Sequence, residues 1–198
     1  MLPIGVLALQ GDVREHLAVL KNLGVEAIEV RKPEQIQIIS GLIIPGGEST
    51  VIDKLSQIFN IAEPLKTAIH DGLPVFGTCA GLIMLSDKLV GGTPTQKTLG
   101  GLQITVQRNA FGSQVDSFET ELEFGEFPDV KAAFIRAPIV SEVGQGVRVL
   151  SSLPDGRIVA VQQGNLLGIS FHPEVIGENR VHQYFVEMCR TANFNSAK

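Results

Sequence analysis

Pro74-Val75-Phe76-Gly77-Thr78-Cys79-Ala80-Gly81-Leu82 decides how the rest of the chain is read. Pro74, Val75 and Phe76 form a short apolar run that suits a buried strand. Gly77 and Gly81 flank Cys79 symmetrically, in the pattern Gly-x-Cys-x-Gly. This is the sulfur form of a nucleophile elbow, in which a reactive side chain sits on a sharp strand-to-helix turn. A side chain at either glycine would collide with a neighbouring strand or helix where the backbone doubles back. The turn places Cys79 at a helix N-terminus, where unpaired N–H groups and the helix dipole favour a thiolate over a thiol. The competing reading is a small buried cysteine in a Gly-rich junction, because free cysteine is among the most buried residue types. This stretch alone does not separate the two.

Outward from the elbow, the first half alternates apolar strands with amphipathic helices. Ile4 to Leu9 is an almost unbroken apolar run. Asp12 is placed to cap a helix with Val13, Leu17, Leu20 and Leu23 on its apolar face, and Gly24 ends it. Val25 to Val30 and Gly41 to Ile44 read as two more strands, separated by a helical turn opened by Pro33. Ser49 can cap a helix with Val51, Leu55, Ile58 and Phe59 inward; Pro64 restarts it with Leu65, Ala68 and Ile69 on the same stripe. Wholly apolar strands alternating with helices define βαβ units and a parallel sheet, whose ligands bind beyond the carboxyl ends of the strands. Gln10-Gly11, Gly46-Gly47-Glu48 and Thr78-Cys79-Ala80 all fall at that edge.

After Leu89 the pattern changes. Gly91 to Gly101 reads as a loop, and Ile104 to Gln107, Phe118 to Phe124, Ala132 to Ile135, Val147 to Leu150 and Arg157 to Gln163 as shorter strands. Leu153-Pro154-Asp155-Gly156 is a hairpin-type turn. Leu166 to Phe171 is one more apolar strand, and a last helix runs from about Glu178 to Thr191 with Val181, Phe185, Met188 and Cys189 inward. Asn193 to Lys198 reads as a frayed tail. The expected fold is α/β: a single domain over residues 1–198, with a mainly parallel central sheet flanked by helices and a smaller antiparallel section in the second half.

His172-Pro173-Glu174 ends the last strand, 93 residues after Cys79 and at the same edge. Pro173 pushes His172 towards extended geometry, and in extended chain residues two apart face one side. Glu174 can therefore orient the His172 imidazole, completing a nucleophile, its base and the orienter of that base. The plain alternative is a turn histidine beside a solvated glutamate. The Gly46-Gly47 turn offers backbone N–H groups as a nest for negative charge, and with the N–H of Ala80 it would make an oxyanion hole. No Gly-Lys-Ser/Thr pattern supports a phosphate site there.

Composition narrows the classes. The chain has 198 residues, 44% hydrophobic, and a formal net charge of −5. Its largest basic cluster is Arg31-Lys32, so it carries no nucleic-acid footprint. No apolar run approaches the roughly 18 residues of a membrane helix. Met1-Leu2-Pro3-Ile4-Gly5 has no signal-peptide pattern. Two distant cysteines, Cys79 and Cys189, argue against a disulfide framework and for a reducing cytosol, and the four histidines show no zinc spacing. His16 reads as part of a solvated helix face; His70, His182 and Cys189 read as structural.

Gly77-Thr78-Cys79-Ala80-Gly81 with His172-Pro173-Glu174 resembles the triad class of glutamine amidotransferases. Within it, Gly5-Val6-Leu7-Ala8-Leu9-Gln10-Gly11, Pro45-Gly46-Gly47-Glu48-Ser49-Thr50, Gln107-Arg108-Asn109-Ala110-Phe111-Gly112, Val115-Asp116-Ser117-Phe118 and Phe134-Ile135-Arg136-Ala137-Pro138 resemble the glutaminase subunits of pyridoxal 5′-phosphate synthases. Val51-Ile52 departs from the more polar pair that family would carry. The resemblance implies Cys79, His172 and Glu174 as catalytic residues and Gly47 and Ala80 as the oxyanion hole. It implies Gly46, Gly47, Glu48, Arg108, Ile135 and Arg136 as glutamine-binding positions. An arginine suits an α-carboxylate, which it pairs bidentately. The implied partner is a separate synthase subunit that receives ammonia; the implied cofactor requirement is none. The resemblance also suggests that the His16 region touches the synthase and that Gln10 couples that contact to the oxyanion loop. Three other readings stay open: an amidotransferase serving another acceptor, a non-catalytic regulatory module on the same fold, and a thiol hydrolase or peptidase.

Overall fold

The computed structural model describes residues 2–108 and 117–192. The strands are β1 (Ile4–Leu7), β2 (Ala27–Val30), β3 (Gly41–Ile44), β4 (Val75–Thr78), β5 (Ser86–Val90), β6 (Leu102–Gln107), β7 (Phe118–Phe124), β8 (Phe127–Phe134), β9 (Ile139–Val143), β10 (Arg148–Ser152), β11 (Ile158–Gln163) and β12 (Leu166–Ile169). The helices are α1 (Val13–Asn22), α2 (Ser49–Ile58), α3 (Ala62–His70), α4 (Ala80–Leu85) and α5 (Arg180–Thr191). Ten strands form one sheet, in the order β2-β1-β3-β4-β12-β11-β9-β6-β5 with β10 on β11, and β7 and β8 form a separate antiparallel ribbon. From β2 to β12 every pairing is parallel. β11 then runs antiparallel to β12, and β9 antiparallel to β6.

The apolar strands alternate between two cores. In β3, Leu42 and Ile44 face one side and Ile43 the other; in β4, Val75 and Phe76 split the same way. One core takes Ile52, Leu65, Ile69 and Leu82 from α2, α3 and α4. The other takes Leu20 from α1 and Val181, Phe185 and Cys189 from α5. Continuous apolar strands are what a sheet covered on both faces requires. The parallel core and the more antiparallel second half both match the sequence reading.

The differences have local causes. The helix after Cys79 stops at Leu85, where the Ser86 hydroxyl donates to the Ile83 carbonyl at 2.8 Å, and β5 follows as an edge strand parallel to β6. β9 was not expected: in Ile139-Val140-Ser141-Glu142-Val143 only Val140 is buried, so its apolar signal is short. β8 begins at Phe127, earlier than the Ala132 start read from the sequence. Val25 and Glu26 lie outside β2, Leu9 outside β1, Ser170 and Phe171 outside β12, and Glu178 precedes α5. The α2 stripe is the largest misreading. Val51, Ile58 and Phe59 are exposed, and α2 buries Ser49, Ile52, Asp53 and Ser56 instead. The loop from Gly91 to Gly101 makes this tolerable: the Lys97 N–H donates to Asp53 Oδ2 at 2.8 Å and the Gln96 amide to Ser49 Oγ at 2.9 Å. Ser49 is the first helical residue of α2 rather than its cap, and Asp12 makes no side-chain cap bond to α1. Asn193 to Lys198, read as a tail, lie outside the described residues.

Phe185 is fully buried against Phe76, with ring centroids 5.5 Å apart. Phe185→Ala is expected to lower the unfolding free energy by about 3–5 kcal/mol, read as a lower urea midpoint at unchanged slope.

Candidate active site

Three backbones meet at the elbow. A Cβ on Gly81 would run into the Ile44 carbonyl oxygen of β3, and a Cβ on Gly77 would stand 2.5 Å from the Gly81 carbonyl. The collision inferred from the sequence is therefore real at both glycines. Between them Cys79 takes φ 47° and ψ −97°, outside the ordinary helical and strand regions. For a residue with a Cβ this costs about 1–3 kcal/mol and persists only where the surroundings enforce it. Here the Cys79 N–H donates to the Ile169 carbonyl of β12 at 2.8 Å, and its own carbonyl accepts from the Ile83 N–H of α4 at 3.2 Å. The thiol is 8% exposed.

His172 follows β12, held by its N–H on the Ala133 carbonyl at 2.8 Å. Its φ of −118° and ψ of 84° keep it out of the helical region, as Pro173 requires, but short of fully extended chain. The next three residues, Pro173–Val175, form a 3-10 turn rather than extended chain. Glu174 thus reaches the ring around a turn, and its Oε1 lies 2.8 Å from His172 Nδ1. The expected pairing is present, by a different route. Burial acts to lower the His172 pKa. Its hydrogen bonds to Asp12, Cys79 and Glu174 outweigh that and raise it from 6.5 to about 12. Glu174 is pushed up by burial and pulled back by its bond to His172; the net direction is up.

Asp12 is the member of this group that sequence reasoning missed. Read as a helix cap, it instead places Oδ2 3.4 Å from His172 Nδ1. No local pattern announces that role, because the partner is 160 residues away (from 12 to 172). Asp12, His172 and Glu174 offer donor atoms within 4.8 Å of one another. The Nδ1–carboxylate hydrogen bond already accounts for that gathering. His16 was also misread: it is fully buried, not on a solvated face.

A cavity opens over Cys79. Of the residues singled out from the sequence, Gly47, Glu48, Ala80, Arg108, Ile135 and Arg136 line it with Cys79, and Ser49, Ile83 and Pro138 complete the wall. Gly46 is placed elsewhere: it packs edge-on against the His172 ring. Arg108 Nη2 donates to Glu48 Oε1 at 2.8 Å, and Nη1 to Gln96 Oε1 at 3.1 Å. The guanidinium is thus held at the cavity wall. Gln10 reaches the same loop, its Oε1 accepting from the Glu48 N–H at 2.7 Å. Gly47 has φ +152°, and a Cβ there would strike Gln10 Oε1. Arg136 is itself at φ 46°. Asn109, Ala110, Phe111, Gly112, Val115 and Asp116 lie outside the described residues.

A cysteine elbow on a parallel sheet, with a histidine–carboxylate pair just beyond the adjoining strand, is the architecture of glutamine amidotransferases. A solved structure described as a glutamine amidotransferase superposes with a TM-score of 0.89 and 48% identity, over 95% of this chain and 99% of that one. The chain belongs to the SNO glutamine amidotransferase family, whose model matches residues 6–191. A relative from Leifsonia xyli, 58% identical over 92% of this chain and 93% of its own length, is called pyridoxal 5′-phosphate synthase subunit PdxT. One from Dehalococcoides mccartyi, 57% identical over 95% of this chain and 97% of its own length, bears the same name.

Two predictions follow from the His172 geometry. Gly46→Ala would drive a methyl into His172 Cε1 and to within 2.8 Å of Asp12 Oδ2. Moving the ring by about 1 Å should cost roughly a hundredfold in turnover, measured as kcat on a variant checked for folding by circular dichroism. The second concerns pH. Because the folded pKa is raised, protonated His172 contributes its full stability below about 6.5, and that contribution is lost as pH rises towards about 12. The difference in unfolding free energy between wild type and His172→Asn should shrink steadily across that window in urea titrations.

Proposed function

We propose that the chain is the glutaminase subunit of a pyridoxal 5′-phosphate synthase. The observation that carries the reading is the cavity that opens over Cys79 and is walled by Arg108, at the sheet edge where the His172 ring is held 2.8 Å from Glu174 Oε1. In this mechanism the Cys79 thiol passes its proton to His172, and Sγ attacks the carboxamide carbon of L-glutamine. The N–H groups of Gly47 and Ala80 hold the oxyanion. His172 protonates the departing nitrogen, which leaves as ammonia, and a cysteinyl thioester remains. His172 then takes a proton from water, whose oxygen attacks the thioester carbon and releases glutamate and the free thiol. Glu174 keeps the imidazole in the orientation both steps need.

Substrate binding falls to the cavity wall. Arg108 receives the α-carboxylate after exchanging it for Glu48, and the backbone carbonyl of Ile135 accepts from the α-ammonium. Gly47, Glu48 and Arg136 shape the remaining surface, and Gly46 backs the His172 ring. The names of the relatives support a separate synthase subunit as acceptor of the ammonia. Pyridoxal 5′-phosphate is then the product of the assembly, and this chain needs no cofactor. One glutaminase domain spans residues 1–198. Two unpaired cysteines fit a cytosolic setting, and no described helix is long and apolar enough to cross a membrane.

The test is ammonia release from L-glutamine by the purified chain, alone and with a pyridoxal 5′-phosphate synthase subunit. Strong release that needs Cys79 is expected, with Cys79→Ala reducing it at least about a thousandfold. Activity indifferent to the synthase subunit would move the chain to another acceptor pathway. Hydrolysis of peptides but not of glutamine would make it a thiol hydrolase, and no activity in either tube would make it a regulatory module.

A further inference from the structure

Behind the triad lies a buried polar group that the reaction above does not use. His16 in α1 and His182 in α5 are both fully buried. His16 Nδ1 lies 2.8 Å from His182 Nε2. The other nitrogen of His16 points back to the site: Nε2 is 3.2 Å from Thr78 Oγ1 and 3.6 Å from Glu174 Oε1. Both rings meet Phe76 edge-on, at centroid distances of 6.3 and 5.4 Å. Phe76 and Thr78 share one face of β4, the strand that ends at Cys79. The histidine pair is therefore wedged between the elbow strand and the two helices that cover it.

Hydrogen-bond accounting fixes where the protons sit. His182 Nδ1 and Glu174 Oε2 are buried with no hydrogen-bond partner among the described residues. If His16 Nδ1 carried the proton, His182 Nδ1 would be an orphaned buried N–H. The His16 Nε2 lone pair would also face a carboxylate oxygen. If instead His182 Nε2–H donates to His16 Nδ1, His182 is left with only an unpaired acceptor. His16 then presents Nε2–H towards Thr78 and Glu174. Orphaned buried N–H groups are rarer than under-used acceptors, so the second arrangement prevails. Burial supports two neutral rings: it is the largest cause holding His16 well below its ordinary pKa, and it pushes His182 down to about 3.

We propose that His16 is a positioning residue that presents a neutral Nε2–H to the Glu174 carboxylate, with His182 fixing its tautomer. This rests on the glutaminase reading for its effect on rate but not for its structure. Glu174 needs the help. A carboxylate in this burial drifts towards its neutral form. A neutral Glu174 would hold the His172 imidazolium less firmly. The groups facing Glu174 are His172 and Asp12 on the substrate side and His16 on the other, with His182 behind it and Cys79 beyond His172. Through Thr78 the same N–H also ties the residue before the nucleophile to the orienter of its base.

The experiment pairs histidine-selective 15N NMR on the wild-type chain with glutaminase kinetics in complex with the synthase subunit. The NMR should report the Nε2–H tautomer at His16; an Nδ1–H tautomer would overturn the proposal whatever the enzyme does. His16→Phe keeps the aromatic volume and removes the donor; His16→Gln restores an amide N–H. His16→Phe should lower kcat roughly tenfold to a hundredfold, the range usual for groups that orient an active one, with KM within about twofold. The acid limb of its kcat/KM profile should move up by about one pH unit, and His16→Gln should recover part of both. His16→Phe with a wild-type kcat and acid limb would overturn the proposal, as would a loss that merely tracks the unfolded fraction. If His16→Phe does not fold, the tautomer and His16→Gln decide: an Nε2–H tautomer with a His16→Gln acid limb displaced upward by less than about one pH unit supports it, and a roughly tenfold loss of kcat in His16→Gln with the limb at its wild-type position sinks it. Failure of wild type to release ammonia would strike the glutaminase reading and leave the tautomer measurement standing.

Discussion

The close approach of β3, β4 and α4 at the paired glycines is the constraint on which the site depends. Gly81 lets the first turn of α4 press on the Ile44 carbonyl, and Gly77 lets α4 fold back over its own strand. With those two contacts set, the residue between them has no relaxed conformation available, and Cys79 is held at positive φ. The strain is carried by ladder bonds to β12 and α4 rather than by the thiol's own contacts. β12 therefore does two things at once. It pins Cys79 through Ile169 and delivers His172 three residues further on. A sheet with β12 elsewhere would lose both, which is why the parallel β4–β12 pairing sits at the centre of the order.

Around that constraint the charges are layered by depth. Arg108 and Glu48 face the cavity, His172 lies beneath, and Glu174, His16 and His182 are sealed behind it. Solvation falls along this line, so the outermost pair can exchange partners cheaply while the innermost groups must be satisfied within the fold. Asp12 bridges the layers: partly exposed, it still reaches His172 Nδ1. Gln10, two residues earlier, holds the Glu48 N–H. The short segment between β1 and α1 thus touches both His172 and the loop that faces Cys79 across the cavity.

Much of this was legible before any coordinates. Uninterrupted apolar runs such as Gly41 to Ile44 mark strands covered on both faces, and Gly-x-Cys-x-Gly and His-Pro-Glu are local patterns with steric causes. What escaped was non-local. Asp12 and His16 look like an ordinary cap and an ordinary helix face, because their partners, His172 just after β12 and His182 in α5, lie some 160 residues on. The α2 stripe was misjudged because Asp53, Ser49 and Ser56 are buried only by virtue of bonds to the 91–101 loop and to α2's own backbone. β9 was missed because its apolar signal is a single buried valine.

The order of the strands also sets a timetable. β2, β1, β3 and β4 are contiguous in both chain and sheet, but the neighbour on the far side of β4 is β12. On the ribosome, at roughly 5–20 residues per second, the cysteine turn emerges roughly 5–20 seconds before the 93rd residue after it, His172. Until then β4 is an open edge, and the turn lacks the Ile169 carbonyl that bends it. The nascent chain therefore carries Cys79 on an unfinished sheet. The same late strand that closes the fold completes the turn at Cys79.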